Sequence, residues 1–87
     1  MDYYHHDASS IIVRGSQKVR LVNVIAKVNL KPTEKGELLR DFMVRYLEAE
    51  EKTVAIGASV YFTDVALRID SMKSGQITRV EVIKSSV

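Results

Sequence analysis

Three lysines surround the start of an amphipathic segment in the middle of the chain. Lys27 and Lys31 precede this segment, and Lys35 lies in its first predicted turn. Free backbone N–H groups at a helix start favour an anion, so a phosphate or carboxylate there would meet ammonium groups and a helix N-terminus together. Glu34 and Glu37 act against this, because they satisfy the helix dipole and repel an anion. The local pattern leaves an anion site and an ordinary solvated helix start equally open.

Basic residues continue from this point towards the N-terminus. Residues 8–33 contain five Lys and Arg side chains and no Asp or Glu, although the net charge of the 87-residue chain is only +2. An acid-free basic block is typical of a polyanion partner. Because no aromatic platform accompanies these cations, contact with phosphates is favoured over contact with bases. The predicted contact residues are Arg14, Lys18, Arg20, Lys27, Lys31 and Lys35.

Residues for catalysis and metal binding are scarce. The two histidines, His5 and His6, are adjacent in the predicted N-terminal tail and lack a third ligand at useful spacing. No carboxylate pair lies in an apolar setting that would separate two pKa values, and there is no glycine-rich phosphate loop. The absence of cysteine excludes disulfides, thiol chemistry and zinc–thiolate sites. We therefore expect a protein that is not an enzyme, with no catalytic residue, no metal site and no cofactor.

An amphipathic helix is the clearest structural signal in the chain. Pro32 opens this helix, and Thr33 is its predicted N-cap. Its apolar side chains recur at helical spacing, at Leu39, Phe42, Met43, Tyr46 and Leu47. Residues 53–56 follow as a short predicted strand, which Gly57 ends. Pro32 and Gly57 are therefore the predicted structural turns.

The remaining elements are predicted from β-branched content and from periodicity. Residues 18–28, rich in valine and isoleucine, form the predicted central strand, with Asn23 as an unusual polar member. Residues 11–14 form a strand that pairs with it in a hairpin. The apolar spacing predicts a second helix over residues 59–72 and a last strand over residues 77–83.

The length of the chain allows one small domain. At this size only about 60–65% of the unfolded surface is buried, so a dimer interface would add stability. We expect residues 1–9 to be a flexible tail and residues 10–87 to be a single domain. The predicted fold is an α/β (α+β) sandwich with the order β-α-β-α-β, an extra N-terminal strand, and two helices on one face of a small sheet.

The order of the predicted elements and two short motifs resemble the Alba superfamily of small nucleic-acid-binding proteins. Lys31-Pro32 matches the turn that opens the first helix of that family, and the interval from Pro32 to Gly57 is similar to the family's spacing. Residues 55–58, AIGA, are similar to the stage V sporulation protein S group of bacteria, which shares the Alba-like fold. The resemblance covers residues 19–84. It implies a homodimer that binds DNA or RNA with little sequence preference, with Lys31 on the nucleic acid.

The sequence departs from the Alba pattern at two points. Ala58 and Ser59 occupy positions where Alba proteins often carry arginine, and we expect the long hairpin arm that reaches along DNA to be missing. Our hypothesis is that Arg14, Lys18 and Arg20 stand in for that arm.

The expected function is phosphate contact with nucleic acid in the cytoplasm. No membrane partner is expected, because no apolar run approaches the ~20 residues that a membrane span needs. An alternative is a bacterial regulatory protein of the stage V sporulation S type, which acts through protein partners. A further alternative is a small-ligand or subunit-assembly domain, in which the helix start near Lys31 would hold a carboxylate or a phosphate.

Overall fold

The computed structural model describes residues 3–7 and 10–84, which form five strands and two helices. In chain order these elements are β1 (Tyr3–Asp7), β2 (Ser10–Arg14), α1 (Val19–Ala26), α2 (Leu39–Ala49), β3 (Ser59–Tyr61), β4 (Val65–Lys73) and β5 (Gln76–Lys84). The strands form one sheet in the order β1-β2-β5-β4-β3, and every neighbouring pair is antiparallel. The two helices follow each other directly between β2 and β3.

Both helices pack on the same face of this sheet. Alternate residues of β2, β4 and β5 join buried residues of both helices in one apolar cluster. Its fully buried members include Val13, Val19, Val22, Leu39, Phe42, Met43, Leu47, Leu67, Ile69 and Val80. Burying an apolar side chain of this size stabilises the fold by about 1.5–3 kcal/mol. The predicted α+β class is therefore confirmed, whereas α1, one of the two helices on this face, is not among the predicted helices.

The strand predicted over residues 18–28 is wrong, because this segment contains helix α1. Val19 and Val22 are buried, Ala26 is half-buried, and Arg20 and Val24 are exposed. That pattern has the 3.6-residue period of a helix rather than the two-residue period of a strand. Intrinsic propensity is a weak guide, and packing on the sheet overrides the poor helix propensity of the β-branched residues. The hairpin expected with residues 11–14 is therefore also absent, since β2 pairs with β1 and β5.

The helix predicted over residues 59–72 is also wrong, because the segment forms strands β3 and β4. Val65, Leu67 and Ile69 are buried and alternate with less buried residues, which is the period of a strand. β4 lies between β3 and β5, and its ladder with β5 extends over nearly its whole length. Residues 53–56, predicted as a strand, lie in the irregular connection between α2 and β3. The observed order is thus β-β-α-α-β-β-β instead of β-α-β-α-β.

Other predicted elements are found near the expected positions. Strand β2 covers the predicted strand at residues 11–14, and β5 covers the one at residues 77–83. The apolar positions of the amphipathic helix lie on α2, but α2 begins at Leu39, so Thr33 is not its N-cap. The predicted tail over residues 1–9 coincides with β1 at Tyr3–Asp7. Residues 1, 2, 8, 9 and 85–87 lie outside the described residues.

Gly15 joins the sheet to the helices through a close backbone approach. Its N–H donates to the carbonyl of Thr78 at 2.9 Å, and its carbonyl accepts from the N–H of Arg40 at 2.9 Å. A Cβ atom at this position would collide with the backbone carbonyl of Ile77. Gly36, in the connection between the helices, has no atom within 4 Å of the position that a Cβ would take.

Gly15→Ala is expected to lower the free energy of unfolding by about 1–3 kcal/mol, the usual cost of overpacking. Gly36→Ala is the matched control and should leave stability unchanged or raise it by up to about 1 kcal/mol, through the entropy of the unfolded chain. Urea denaturation followed by far-UV circular dichroism measures both. Equal midpoints for the two variants would show that β2 and β5 can separate at this point without cost.

Candidate functional site

The start of α2 is not an anion site, because other parts of the chain already bind its backbone N–H groups. Leu39 N–H donates to the carbonyl of Gln17 at 2.7 Å, and Arg40 N–H donates to the carbonyl of Gly15 at 2.9 Å. An anion at this helix start would have to displace these internal bonds. Pro32 lies ahead of the helix in the connection between α1 and α2, so the Lys31-Pro32 turn does not open a helix.

The six predicted contact residues are all exposed, but only some of them come together. Arg20 lies on α1, and Lys27 is the C-cap of α1 with a left-handed backbone (φ 57°). Lys31 and Lys35 follow in the connection between the helices. A cleft of about 480 Å³ brings Arg20 and Lys35 to one place; its lining residues are Arg20, Pro32, Thr33, Glu34 and Lys35.

Arg14 and Lys18 lie apart from this cleft. Arg14 follows Val13, a core residue, along β2, so it faces the side of the sheet opposite the helices, where it is in register with Arg79. Lys18 is the N-cap of α1 and forms an isolated β-bridge with Leu38. Residues two apart on a helix do not share a face, so Lys18 and Arg20 are not the pair that a strand would have made.

The connection between the helices is held by the buried carboxylate of Glu37, a residue that the sequence pattern predicts in the first turn of a helix. Glu37 is 7% exposed, and its Oε1 accepts from the backbone N–H of Thr33 at 2.9 Å and from Nη2 of Arg45 at 3.0 Å. Its Oε2 accepts from Nε of Arg45 at 3.1 Å. The Arg45 guanidinium also lies 4.8 Å from the centre of the Tyr46 ring. The sequence separation of Glu37 and Arg45 is eight residues, so no i,i+4 pattern reveals the pair.

These contacts shift the pKa of both partners. The hydrogen bond from Arg45 lowers the pKa of Glu37 below its ordinary value of 4.5; burial opposes this shift and the bond to Thr33 adds to it. The same ion pair raises the pKa of Arg45. Glu37 is therefore a charged structural group at neutral pH. It neither repels an anion at a helix start nor acts as a proton donor.

Asn23 fixes the beginning of the same connection. Its side-chain amide donates from Nδ2 to the carbonyl of Leu30 at 2.9 Å, and its Oδ1 accepts from the N–H of Leu30 at 2.8 Å. The polar residue that looked out of place in a strand thus binds both backbone groups of a buried leucine. These bonds hold Leu30 against α1 and so fix the position of the backbone just before Lys31.

Metal and membrane-spanning features are not found among the described residues. That part of the chain contains no group of three or more His, Cys, Asp or Glu side chains that could hold a metal ion. The side chains of His5 and His6 belong to a segment described only through its backbone. None of the described helices has the length and apolar character needed to cross a membrane.

Comparison with solved structures identifies the fold class. No protein-family model matches the sequence, and no curated protein matches it significantly. A hemolysin domain from Enterococcus faecalis V583 has a TM-score of 0.84 at 12% identity, covering 99% of this chain and 100% of that chain. The transporter-associated domain CorC_HlyC from Nitrosomonas europaea has a TM-score of 0.78 at 15% identity, covering 98% of each chain. A putative Mg2+ and Co2+ transporter (CorC) associated region from Neisseria meningitidis MC58 has a TM-score of 0.74 at 5% identity, covering 97% of this chain and 99% of that chain.

The chain therefore has the fold of the CorC_HlyC transporter-associated domains, and the Alba resemblance is wrong. The matching motifs were two short runs whose structural setting differs, since Lys31-Pro32 opens no helix. Nucleic-acid binding is overturned with the resemblance that implied it, and so is the sporulation-regulator alternative. The expected nucleic-acid partner is corrected too, because the similar structures are named as transporter-associated and hemolysin domains.

Glu37→Gln is expected to lower the free energy of unfolding at neutral pH by about 1.5–3 kcal/mol, the range for a hydrogen bond to a charged group. Glutamine keeps the size of the side chain but leaves Arg45 without its carboxylate. Glu34→Gln, at the exposed acid of the same connection, should change stability by less than about 0.5 kcal/mol. Urea denaturation measures both. Equal losses in the two variants would contradict the assigned role of the ion pair.

The stabilisation by Glu37 should depend on pH in one direction. Because its pKa is lower in the folded protein than the ordinary 4.5, the stabilisation is complete well above pH 4.5 and is lost as the pH falls through the folded value. The stability difference between wild type and Glu37→Gln should therefore be constant near neutral pH and shrink in acid. A difference that is unchanged far below pH 4.5 would refute the charged state of this carboxyl.

Asn23→Ala is expected to destabilise the protein by about 1–3 kcal/mol, since it leaves the backbone groups of buried Leu30 unpaired. Asn29→Ala removes an exposed asparagine from the same connection and should be near neutral. Amide hydrogen exchange at Leu30 gives the local measurement, and it should accelerate in Asn23→Ala only. Unchanged protection of the Leu30 amide in that variant would rule out the proposed role of Asn23, whose side chain clamps the backbone of Leu30.

Proposed function

We propose that the protein is a non-catalytic accessory domain that associates with a divalent-cation transport system. The observation that carries this proposal is the extent of the structural match. The match covers 97% of this chain and 99% of the Neisseria transporter-associated region, so the likeness extends over an entire associated domain. As an associated domain, it would contribute by binding to the transport system and regulating it.

The distribution of polar groups supports a binding role over a catalytic one. The buried acids of the described chain are engaged in structural pairs: Glu37 with Arg45, and Glu81 with Ser10 and Arg68. Catalysis needs a nucleophile or an acid–base group with a perturbed pKa in a cleft. The cleft near α1 is instead bordered by exposed cations and Glu34. A cytoplasmic location is part of the proposal, because a chain without cysteine suits a reducing compartment.

The proposal is tested by deleting the coding segment for residues 1–87 in the organism that encodes it. Cellular Mg2+ and Co2+ contents and growth under Co2+ excess are then measured. An accessory role predicts a several-fold change in Co2+ content or tolerance, because the transport system loses its regulatory part. A plasmid copy of the wild-type segment should restore both.

Two glycine variants on the plasmid show whether restoration requires the folded protein or only its RNA. Gly36→Ala, where the added Cβ meets open space, should restore the wild-type cation content. Gly15→Val, whose side chain collides with the Ile77 backbone, should fail to restore it. Unchanged Mg2+ and Co2+ contents in the deletion strain would overturn the proposed function.

A further inference from the structure

The outer face of α1 carries apolar and basic side chains that the core does not use. Arg20 and Val24 are four residues apart on α1, so they form one row along the helix, and Lys27 is the C-cap just after it. Val24 is 73% exposed, and Leu21 beside the row is 38% exposed. Val22, on the opposite side, is fully buried in the core. An exposed apolar residue between two cations therefore occupies the crest of this helix.

The connection after α1 adds further cations next to this row. Asn23 holds Leu30 against the helix, which places Lys31 immediately beyond that contact. Lys35 shares the cleft of about 480 Å³ with Arg20. One acid, Glu34, also lines that cleft. We call this surface the basic helix face; its residues are Arg20, Leu21, Val24, Lys27, Lys31 and Lys35.

We propose that the basic helix face docks on an anionic lipid surface. Leu21 and Val24 enter the headgroup region, and the surrounding cations contact lipid phosphates, one of them in the cleft between Arg20 and Lys35. The charges are complementary, since the surface carries four cations and the cleft beside it is lined by one acid, Glu34. Clustered Lys and Arg beside exposed apolar residues on a helix are the pattern that recognises acidic phospholipids.

The shape of the surface favours a membrane over an acidic peptide. Peptide recognition uses a groove or an open sheet edge that receives the peptide's side chains. Val24 instead stands out on a helix crest, which suits a plane. Two apolar side chains are too few to hold a protein at a neutral membrane, so attachment depends on anionic lipid. Each cation near such a surface raises partitioning about fivefold.

The test is co-sedimentation of the full chain with vesicles across a salt series. One set contains phosphatidylcholine alone, and the other contains phosphatidylcholine and phosphatidylglycerol in equal parts. We expect binding to the anionic set only. Binding should weaken as salt rises, because exposed charges are screened over about 10 Å at 0.1 M salt.

Matched variants locate the binding face. Arg20→Gln/Lys27→Gln should reduce partitioning about 25-fold, from two factors of about five. Arg14→Gln/Arg79→Gln removes the same charge from the sheet face away from the helices and should retain at least several times more binding. All four positions are exposed, and circular dichroism verifies that both variants fold.

A second pair tests the apolar contact. Val24→Asp should reduce partitioning at least about fivefold, since the new negative charge alone cancels one cation. Ile56→Asp is its control, because Ile56 is a comparably exposed aliphatic residue (64%) outside the basic helix face. The two variants carry the same net charge, so the difference between them reports on position.

Three results would overturn the proposal: no binding to anionic vesicles at low salt, equal losses in the test and control variants, or capture by poly-glutamate without binding to vesicles. The inference is independent of the accessory role proposed above. If the protein does not bind vesicles, the accessory role is still tested by the cation content of the deletion strain. If that cation content is unchanged, the membrane proposal is still tested by vesicle binding. The two failures are therefore distinguishable.

Discussion

The buried carboxylate of Glu37 holds together the two helices and the connection between them, which lie outside the hydrogen-bonded sheet. A charge removed from water is costly unless it is paired and hydrogen-bonded. Glu37 meets that condition with Arg45 and the N–H of Thr33, while its own carbonyl accepts from the N–H of Val19 at 2.9 Å. One residue thereby links the start of α1, the connection between the helices, and the middle of α2.

Internal hydrogen bonds also explain why the start of α2 is not an anion-binding site. The N–H groups of Leu39 and Arg40 donate to carbonyls of the turn after β2, so the start of α2 is attached to the sheet. Within the described residues no buried side-chain nitrogen or oxygen lacks a partner. Cations that remain exposed, such as Arg20 and Lys35, belong to the outer surface.

The outer face of α1 follows from how the helices cover the sheet. α2 supplies four fully buried apolar side chains, whereas α1 supplies two, Val19 and Val22, and leaves Val24 outside. Ile25 and Ala26 of α1 pack against the core only in part, so more of the α1 surface remains outside the core. In this chain that surface is apolar at its crest and basic around it, and the clamp between Asn23 and Leu30 keeps the neighbouring connection beside it.

The sequence by itself determined the α+β class and three elements: β5 and the apolar side of α2 by their periods, and β2 by its run of β-branched residues. It did not determine residues 19–26 or 59–72. In the first, β-branched composition masks a helical period; in the second, positions 65 and 69 fit both a helix and a strand. Pairing with β5 decided the second segment, and packing on the sheet decided the first. The basic residues could be found by inspection of the chain. Only the tertiary structure could separate Arg14 from Arg20 and join Glu37 to Arg45, because these relations depend on contacts between elements that sequence spacing does not encode.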